Sequence, residues 1–251
     1  LVNGHPVLYR VTVPEGLSWW QTGRRLEEAG LVVFEDFRKV VTDPDFLRHY
    51  GIPFATAEGF FFFFTYLLKK KEVIDMAQAK AVAGRMVDNF WRKTATVWPD
   101  GKKPGPAQAA QLKTWIILAS IVEKETGIDA ERARVAGVYQ NRITKGMLLQ
   151  ADPTVICGLG PAFDGNLRRR DLDDANNLYN TYQRPGLTPG PICSFGAAAL
   201  AAAVRPEEHN YLYFVAKFDG GEHVFSTNLT DHKRAVRQYL QNRRSAKPAA
   251  S

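Results

Sequence analysis

Only two cysteines occur in the chain, Cys157 and Cys193, and their spacing fits neither a Cys-x-x-Cys pair nor a zinc-ligand set. Two buried free thiols are the plain expectation, and a disulfide between them stays open for an exported protein. Long apolar runs are equally scarce. Phe60–Phe64 and Trp115–Val122 are the longest, and both fall far short of the about 18 residues that a membrane span requires. The first residues, Leu1-Val2-Asn3-Gly4-His5, lack the basic and apolar regions of a signal peptide. They also lack an initiator Met, which leaves room for a preceding targeting segment. There is no internal repeat, no RNA-binding aromatic signature, no zinc-finger spacing and no helix-turn-helix pattern, so nucleic acid is not expected as a partner. No residue set points to a metal or a cofactor.

What is present is ordinary globular material. Hydrophobic residues make up 45% and charged ones 24% of the 251 residues, enough to bury a real core. The net charge of +7 is spread over short runs. Lys69–Lys71 follows the aromatic run, Arg168–Arg170 is answered by Asp171, Asp173 and Asp174, and Arg243, Arg244 and Lys247 lie near the C-terminus. A basic surface admits an acidic wall polymer, anionic lipid or nucleic acid.

Val7–Val13 alternates with period two and predicts a half-buried strand. Ser18 with Gln21 forms a capping-box pattern opening a helix to about Ala29, stopped by Gly30. Short helices follow over Phe34–Val41 and Pro44–Tyr50, and a longer one over about Val73–Trp91. The Pro- and Gly-rich stretch from Pro99 to Pro106 is a linker. A strong helix is expected over about Ala107–Thr126, and another starts with Asp129 as its cap and runs to Lys145. Residues 148–194 are rich in turn formers and read as loops. A short Ala-rich helix spans about Gly196–Val204. Tyr211–Lys217 and Glu222–Ser226 then flank Asp219-Gly220-Gly221 as a β-hairpin. A final helix covers about Asp231–Gln241. The class is α+β. The expected division is an N-terminal strand-plus-helices subdomain (residues 1–66), a mixed helical main domain with the hairpin at its end (67–242) and a flexible basic tail (243–251).

The informative segment is Leu118–Gly127. Leu118, Ile121, Val122 and Glu125 fall at i, i+3, i+4 and i+7, so Glu125 continues an apolar stripe. Glu123 lies about 200° around the axis from it, so the two carboxylates cannot face one cleft. Glu125 also sits in the last turn, where partial burial and the carbonyl end of the helix dipole both disfavour its anion. A carboxylic acid kept protonated near neutrality suits cleavage of a glycosidic bond. A solvated Glu paired with a neighbouring Lys is the bland alternative.

Several motifs carry a resemblance: Leu118–Thr126 (LASIVEKET), Val138–Ile143 (VYQNRI), Leu149–Gly158 (LQADPTVICG) and Tyr179–Tyr182 (YNTY), then Gly186–Ile192 (GLTPGPI), Tyr211–Ala216 (YLYFVA) and Val224–Leu229 (VFSTNL), ending in His232. In this order and spacing the chain resembles the MltG/YceG-like family of endolytic murein transglycosylases over most of its length. The resemblance implies that Glu125 is the catalytic acid/base and that peptidoglycan glycan strands are the substrate. It implies cleavage between N-acetylmuramic acid and N-acetylglucosamine with 1,6-anhydro ring closure, at the cell envelope. Coupling to penicillin-binding proteins is a further implication. The membrane helix and first LysM-like repeat usual in the family have no counterpart in this sequence, so anchoring is expected only through a segment of a longer parent.

Gln150, Asp152 and Thr154 flank Pro153 as candidate sugar-binding groups, with Asn180, Tyr182 and Asn228 as further ones. Glu123, Asn141, Arg142 and His232 are expected to support the site. Asp152 is also a candidate second carboxylate for a hydrolytic muramidase, or simply a turn or capping Asp. A noncatalytic peptidoglycan-binding module remains open, as does a cysteine hydrolase pairing Cys157 or Cys193 with His209 or His223. Where the family pattern has Pro-Asp, this chain has Phe63 and Phe64. The resulting run of five Phe is expected either to pack as core or to form an exposed surface.

Overall fold

The structure is a computed structural model that describes residues 8–62, 64–69, 74–218 and 221–245. In chain order it comprises β1 (Leu8–Val13), α1 (Trp19–Glu28), α2 (Phe34–Val41), α3 (Pro44–Tyr50), β2 (Phe64–Lys69), α4 (Met76–Lys93), α5 (Ala109–Glu125) and α6 (Asp129–Thr144). These are followed by α7 (Asp152–Leu159), α8 (Arg169–Asp173), α9 (Ala197–Val204), β3 (Tyr213–Ala216), β4 (His223–Ser226) and α10 (Leu229–Ser245). Helices dominate, and two separate two-stranded antiparallel sheets, β1–β2 and β3–β4, complete an α+β architecture.

Local chemistry sets most boundaries. The Ser18 hydroxyl accepts from the Gln21 backbone N–H at 3.3 Å while the Gln21 side chain accepts from the Ser18 N–H at 3.0 Å, so the expected capping box opens α1. Asp43 caps α3 through the Asp45 N–H at 3.0 Å, with Pro44 as the first helical residue. Gly51 closes α3 with φ at 68°, a left-handed conformation that a side chain would resist. The alternation in β1 buries Val11 and Val13, and Thr12 bonds Thr65 across the pair at 2.9 Å.

The core is centred on α5. Leu112 and every residue from Trp115 to Val122 are buried, so this stretch of the helix is enclosed on all sides rather than along one stripe, while its last turn reaches solvent. Burying each of its Ile and Leu side chains contributes about 1.5–3 kcal/mol. The alanine-rich α9 packs along α5, small side chains permitting close approach. The Pro191–Cys193 segment docks on the same helix: the Ile192 N–H donates to the Ser120 hydroxyl at 3.0 Å, and the Cys193 thiol donates to the Ser120 carbonyl at 3.3 Å. Phe60, Phe61 and Phe62 join the core, with Phe60 4.8 Å from Phe90 and Phe61 5.5 Å from Phe37 between ring centroids. Phe60, Phe61 and Phe62 are therefore packing, not surface. Phe63 lies outside the described residues.

Four expectations need correction. The 148–194 region is not all loop, because Pro153 as the second residue of α7 starts a helix rather than a turn. Asp129 is the first residue of α6, with Ile128 in the capping position, and its carboxylate instead accepts from Arg132 at 3.0 Å. Strand β2 spans residue 66, so the first sheet straddles the expected subdomain boundary, and one hydrophobic core runs across it. Helix α10 continues to Ser245, which moves Arg243 out of the tail and into the helix. The hairpin turn at Asp219-Gly220 and residues 246–251 lie outside the described residues.

One buried acid ties the N-terminal elements together. Glu58, 4% exposed, accepts from the Trp19 N–H at 2.8 Å, an otherwise free amide at the start of α1, and from the Gly59 N–H at 3.2 Å. Burial outweighs both bonds and pushes its pKa up to about 8. As pH rises from about 4.5 towards 8, the unfolded chain releases a proton that the folded protein retains, so this group costs stability across that window. Glu58→Gln imitates the protonated acid. Its amide nitrogen cannot accept one of the two backbone N–H groups, a pH-independent loss. Against that offset its melting temperature should gain on wild type as pH rises from about 4.5 to about 8, as thermal melts across pH would reveal.

Candidate active site

Helix α5 ends at Glu125 because Thr126 turns extended (φ −145°, ψ 133°), its hydroxyl accepting from the Ile128 N–H at 3.0 Å. The chain then reverses into α6, which brings Tyr139 and Arg142, one helical turn apart, against the Glu125 carboxyl. Tyr139 is buried beside the Glu125 carboxyl, and its hydroxyl acts on that carboxyl in favour of the anion. Its ring is held edge-on by Phe214 of β3 at 5.9 Å. The Arg142 guanidinium donates to three carbonyls: Leu212 at 2.6 Å, Leu149 at 2.8 Å and Leu148 at 3.3 Å. Among the described residues no carboxylate lies within ion-pair distance of it. Its charge is therefore fixed in place and left to act on the cavity.

That cavity has a volume of about 300 Å³ and is lined by Glu125, Tyr139, Arg142, Leu149, Gln150, Asp152, Pro153, Tyr182, Phe214 and His232. Asp152 is the first residue of α7 and accepts from the Tyr182 hydroxyl at 2.5 Å. Gln150 has φ at 51°, a left-handed conformation that costs a non-glycine residue about 1 kcal/mol or more. Its N–H donates to the Thr181 carbonyl at 3.1 Å, which holds the strained backbone at the cavity edge. The His232 ring stacks on Tyr213 with centroids 5.1 Å apart, and its buried Nδ1 has no hydrogen-bond partner among the described residues.

The electrostatic balance at Glu125 has opposing parts. Burial is the largest effect and raises its pKa, and the nearby Asp152 carboxylate adds to the rise. The Tyr139 hydroxyl and the Arg142 charge oppose them, and the result is about 7. Burial, with Arg142 as a like charge, lowers the His232 pKa and keeps that ring neutral near pH 7. Glu123 faces elsewhere, as the helical phase required. Its carboxylate accepts from Arg132 at 3.3 Å and from the Gly196 N–H at 3.1 Å.

Of the candidate residues, the structure brings Glu125, Arg142, Gln150, Asp152, Tyr182 and His232 together around one cavity. The others occupy structural positions. Thr154 is fully buried, its hydroxyl bonded to the Ala151 carbonyl and the Thr181 hydroxyl. Asn180 is also fully buried and donates to the carbonyls of Asp171, Leu172 and Asp174, closing the loop after α8. Asn228 caps α10 through the Asp231 N–H at 2.9 Å. Asn141 donates to the carbonyls of His209 and Tyr211 and anchors the segment that enters β3. None of these, nor Glu123, lines the Glu125 cavity.

Cys157 and Cys193 are free, and burial raises both thiols. His209 is bonded to the Arg134 carbonyl and the Tyr211 N–H, and His223 to Glu131. The described residues therefore contain no thiol–imidazole pair of the kind a cysteine hydrolase needs. Nor do they contain a group of three His, Cys, Asp or Glu side chains placed to hold a metal ion. Sequence reasoning missed Tyr139, although its i, i+3 spacing from Arg142 marks it as sharing that face of α6.

A carboxyl poised near neutrality on the wall of a polar cavity is the equipment of a general acid–base site. Comparison with known proteins supplies the family. The YceG-like family matches residues 1–238, and the chain belongs to it. An endolytic murein transglycosylase of Bacillus subtilis (strain 168) is 41% identical over 128 residues, covering 51% of this chain and 35% of that protein. The endolytic murein transglycosylase of Streptococcus pneumoniae serotype 2 is 24% identical over 261 residues, covering 95% of this chain and 46% of that protein. The chain thus spans less than half the length of these relatives. The crystal structure of a putative YceG-like protein from Listeria monocytogenes matches with a TM-score of 0.73 at 28% identity, over 92% of this chain and 76% of that one.

Removing the Tyr139 hydroxyl removes a donor that favours the Glu125 anion. Tyr139→Phe should therefore move the Glu125 titration upward from about 7, an effect measurable by carbon-detected NMR of the labelled carboxyl.

Proposed function

We propose that this chain is the catalytic part of a peptidoglycan lytic transglycosylase that uses Glu125 as its single acid/base. The substrate is the β-1,4 bond between N-acetylmuramic acid and N-acetylglucosamine in glycan strands. Glu125 first gives its proton to the glycosidic oxygen as the bond to the muramyl C1 breaks, releasing the N-acetylglucosamine 4-hydroxyl. As carboxylate it then takes the proton of the muramyl C6 hydroxyl while that oxygen bonds C1, which closes the 1,6-anhydro ring and restores the acid. No water is consumed.

The observation that carries this reading is a largely buried carboxyl on the wall of a polar cavity, beside Tyr139 and Arg142, where burial raises its pKa to about 7. About half of such groups hold a proton at pH 7, against roughly 0.3% for an ordinary Glu. Tyr139 and Arg142 lie where they favour the anion that forms midway, so one group serves as acid and then as base. The family membership and the transglycosylase names of the relatives point the same way. The same reading assigns the protein to the extracytoplasmic face of the cell envelope. It implies membrane attachment only through a segment of a longer parent, and penicillin-binding proteins as candidate partners.

Asp152 favours a second reading, because it lines the same cavity and two carboxylates are the equipment of a muramidase. Its bond from Tyr182 leaves it less free to attack or to activate water.

Product mass separates the two. Purified glycan strands should yield 1,6-anhydro ends, lighter by one water than reducing ends, and Glu125→Gln should lower the rate at least about 100-fold. Reducing ends would transfer the chemistry to the Asp152 reading. Because the acid must be protonated, kcat/KM should fall about tenfold per pH unit above about 7, as a pH–rate profile would record.

A further inference from the structure

A second cavity, of about 670 Å³, shares Pro153 with the Glu125 cavity as a common wall. Helix α5 serves both: Glu125 lines the first and its neighbour Lys124 lines the second. The larger cavity is walled by Trp20, Ile156, Pro161 and Phe163, an apolar and partly aromatic surface. Its Ser18 and Gln21 side chains are already bonded to each other in the α1 cap. The Cys157 thiol is held neutral by burial. Lys124 is thus the single charged side chain on the wall. Its ammonium makes one long bond, 3.4 Å to the Gly16 carbonyl, and has no carboxylate within ion-pair distance among the described residues. It retains donors for a ligand.

On these grounds we infer that this cavity receives the peptide stem of the muramic acid next to the bond being cut, with Lys124 binding a stem carboxylate. The inference rests on the proposed glycan substrate. Two features select a peptide over a further sugar. An uncharged sugar would use the ammonium only as a hydrogen-bond donor, whereas a peptide stem carries carboxylates that also meet its charge and small aliphatic side chains that match the apolar wall. Pro153 is common to both linings, so the two cavities lie side by side, and a chain attached at the muramyl lactyl group of a strand in the first has the second as its neighbour. The site would then distinguish strands that still bear stems from stripped ones.

The test is equilibrium binding by calorimetry, with Glu125→Gln in the full chain to prevent cleavage. The ligands are short glycan strands bearing stems and the same strands after removal of the stems, which leaves the lactyl carboxylate free. Stem-bearing strands should bind more tightly. Adding Lys124→Gln should shrink that preference by about two- to fivefold, in the range of a partly exposed charge pair, whereas Lys124→Arg should keep it. Circular dichroism would check that each variant is folded. Equal binding of both strands, or a preference indifferent to Lys124→Gln, overturns the inference and leaves the proposed function standing. Weakened binding of stripped strands alone would assign Lys124 to the lactyl group and overturn it as well. Binding of neither strand overturns both.

Discussion

The enclosure of α5 is the constraint on which the rest of the molecule depends. A helix enclosed all round from Trp115 to Val122 cannot rotate or slide without opening voids, because interiors are packed at crystal-like density. Helix α9 lies along it, α6 packs beside it, and the Pro191–Cys193 segment is bonded to Ser120 at its middle. Its last residue is therefore delivered to a fixed place. Glu125 gains its poised carboxyl from that placement: the same packing that stabilises the helix removes water from the end where the acid sits.

Around that fixed point, Arg142 does two jobs with one side chain. Its three bonds to backbone carbonyls join α6 to the segment before α7 and to the chain entering β3, so the cavity walls are held at one spacing. Because the guanidinium meets only neutral carbonyls at bonding distance, its positive charge remains available to Glu125 and keeps the acid from becoming permanently protonated. Tyr139 works in the same direction from the same face of α6. Asp152 pulls the other way, and Tyr182 fixes its orientation. The poise of Glu125 is thus a balance among α5, α6 and α7 rather than a property of any one of them.

The contrast between the buried acids supports this account. Glu123 is nearly as enclosed as Glu125, but its carboxylate meets Arg132 and the Gly196 N–H, a satisfied structural ion pair. Glu58 is more enclosed, and its two backbone donors do not offset burial, so it stays protonated past neutrality while holding α1 to the core. Partners separate the three roles more than burial does.

Some helix starts and stops were legible in the chain because they depend on neighbours in sequence, although the cap of α6 and the end of α10 were misplaced. Ser18 with Gln21, Asp43 with Pro44, and Gly51 each act within one turn. The phase separating Glu125 from Glu123 was legible for the same reason, since 3.6 residues per turn holds in any helix. Strand β2 was not, because its partner lies more than fifty residues away in β1. Helix α7 was hidden by Asp152-Pro153, a pair that opens a helix as readily as a turn. The structural roles of Thr154, Asn180 and Asn228 were also hidden. A short polar side chain looks the same whether it faces sugar or a carbonyl, and only the long-range packing decides which. The sequence by itself determined the helical phase of the candidate acid and the family. Only the tertiary structure decided which residues surround that acid, because the field at a carboxyl is set by the groups folded against it rather than by those beside it in the chain.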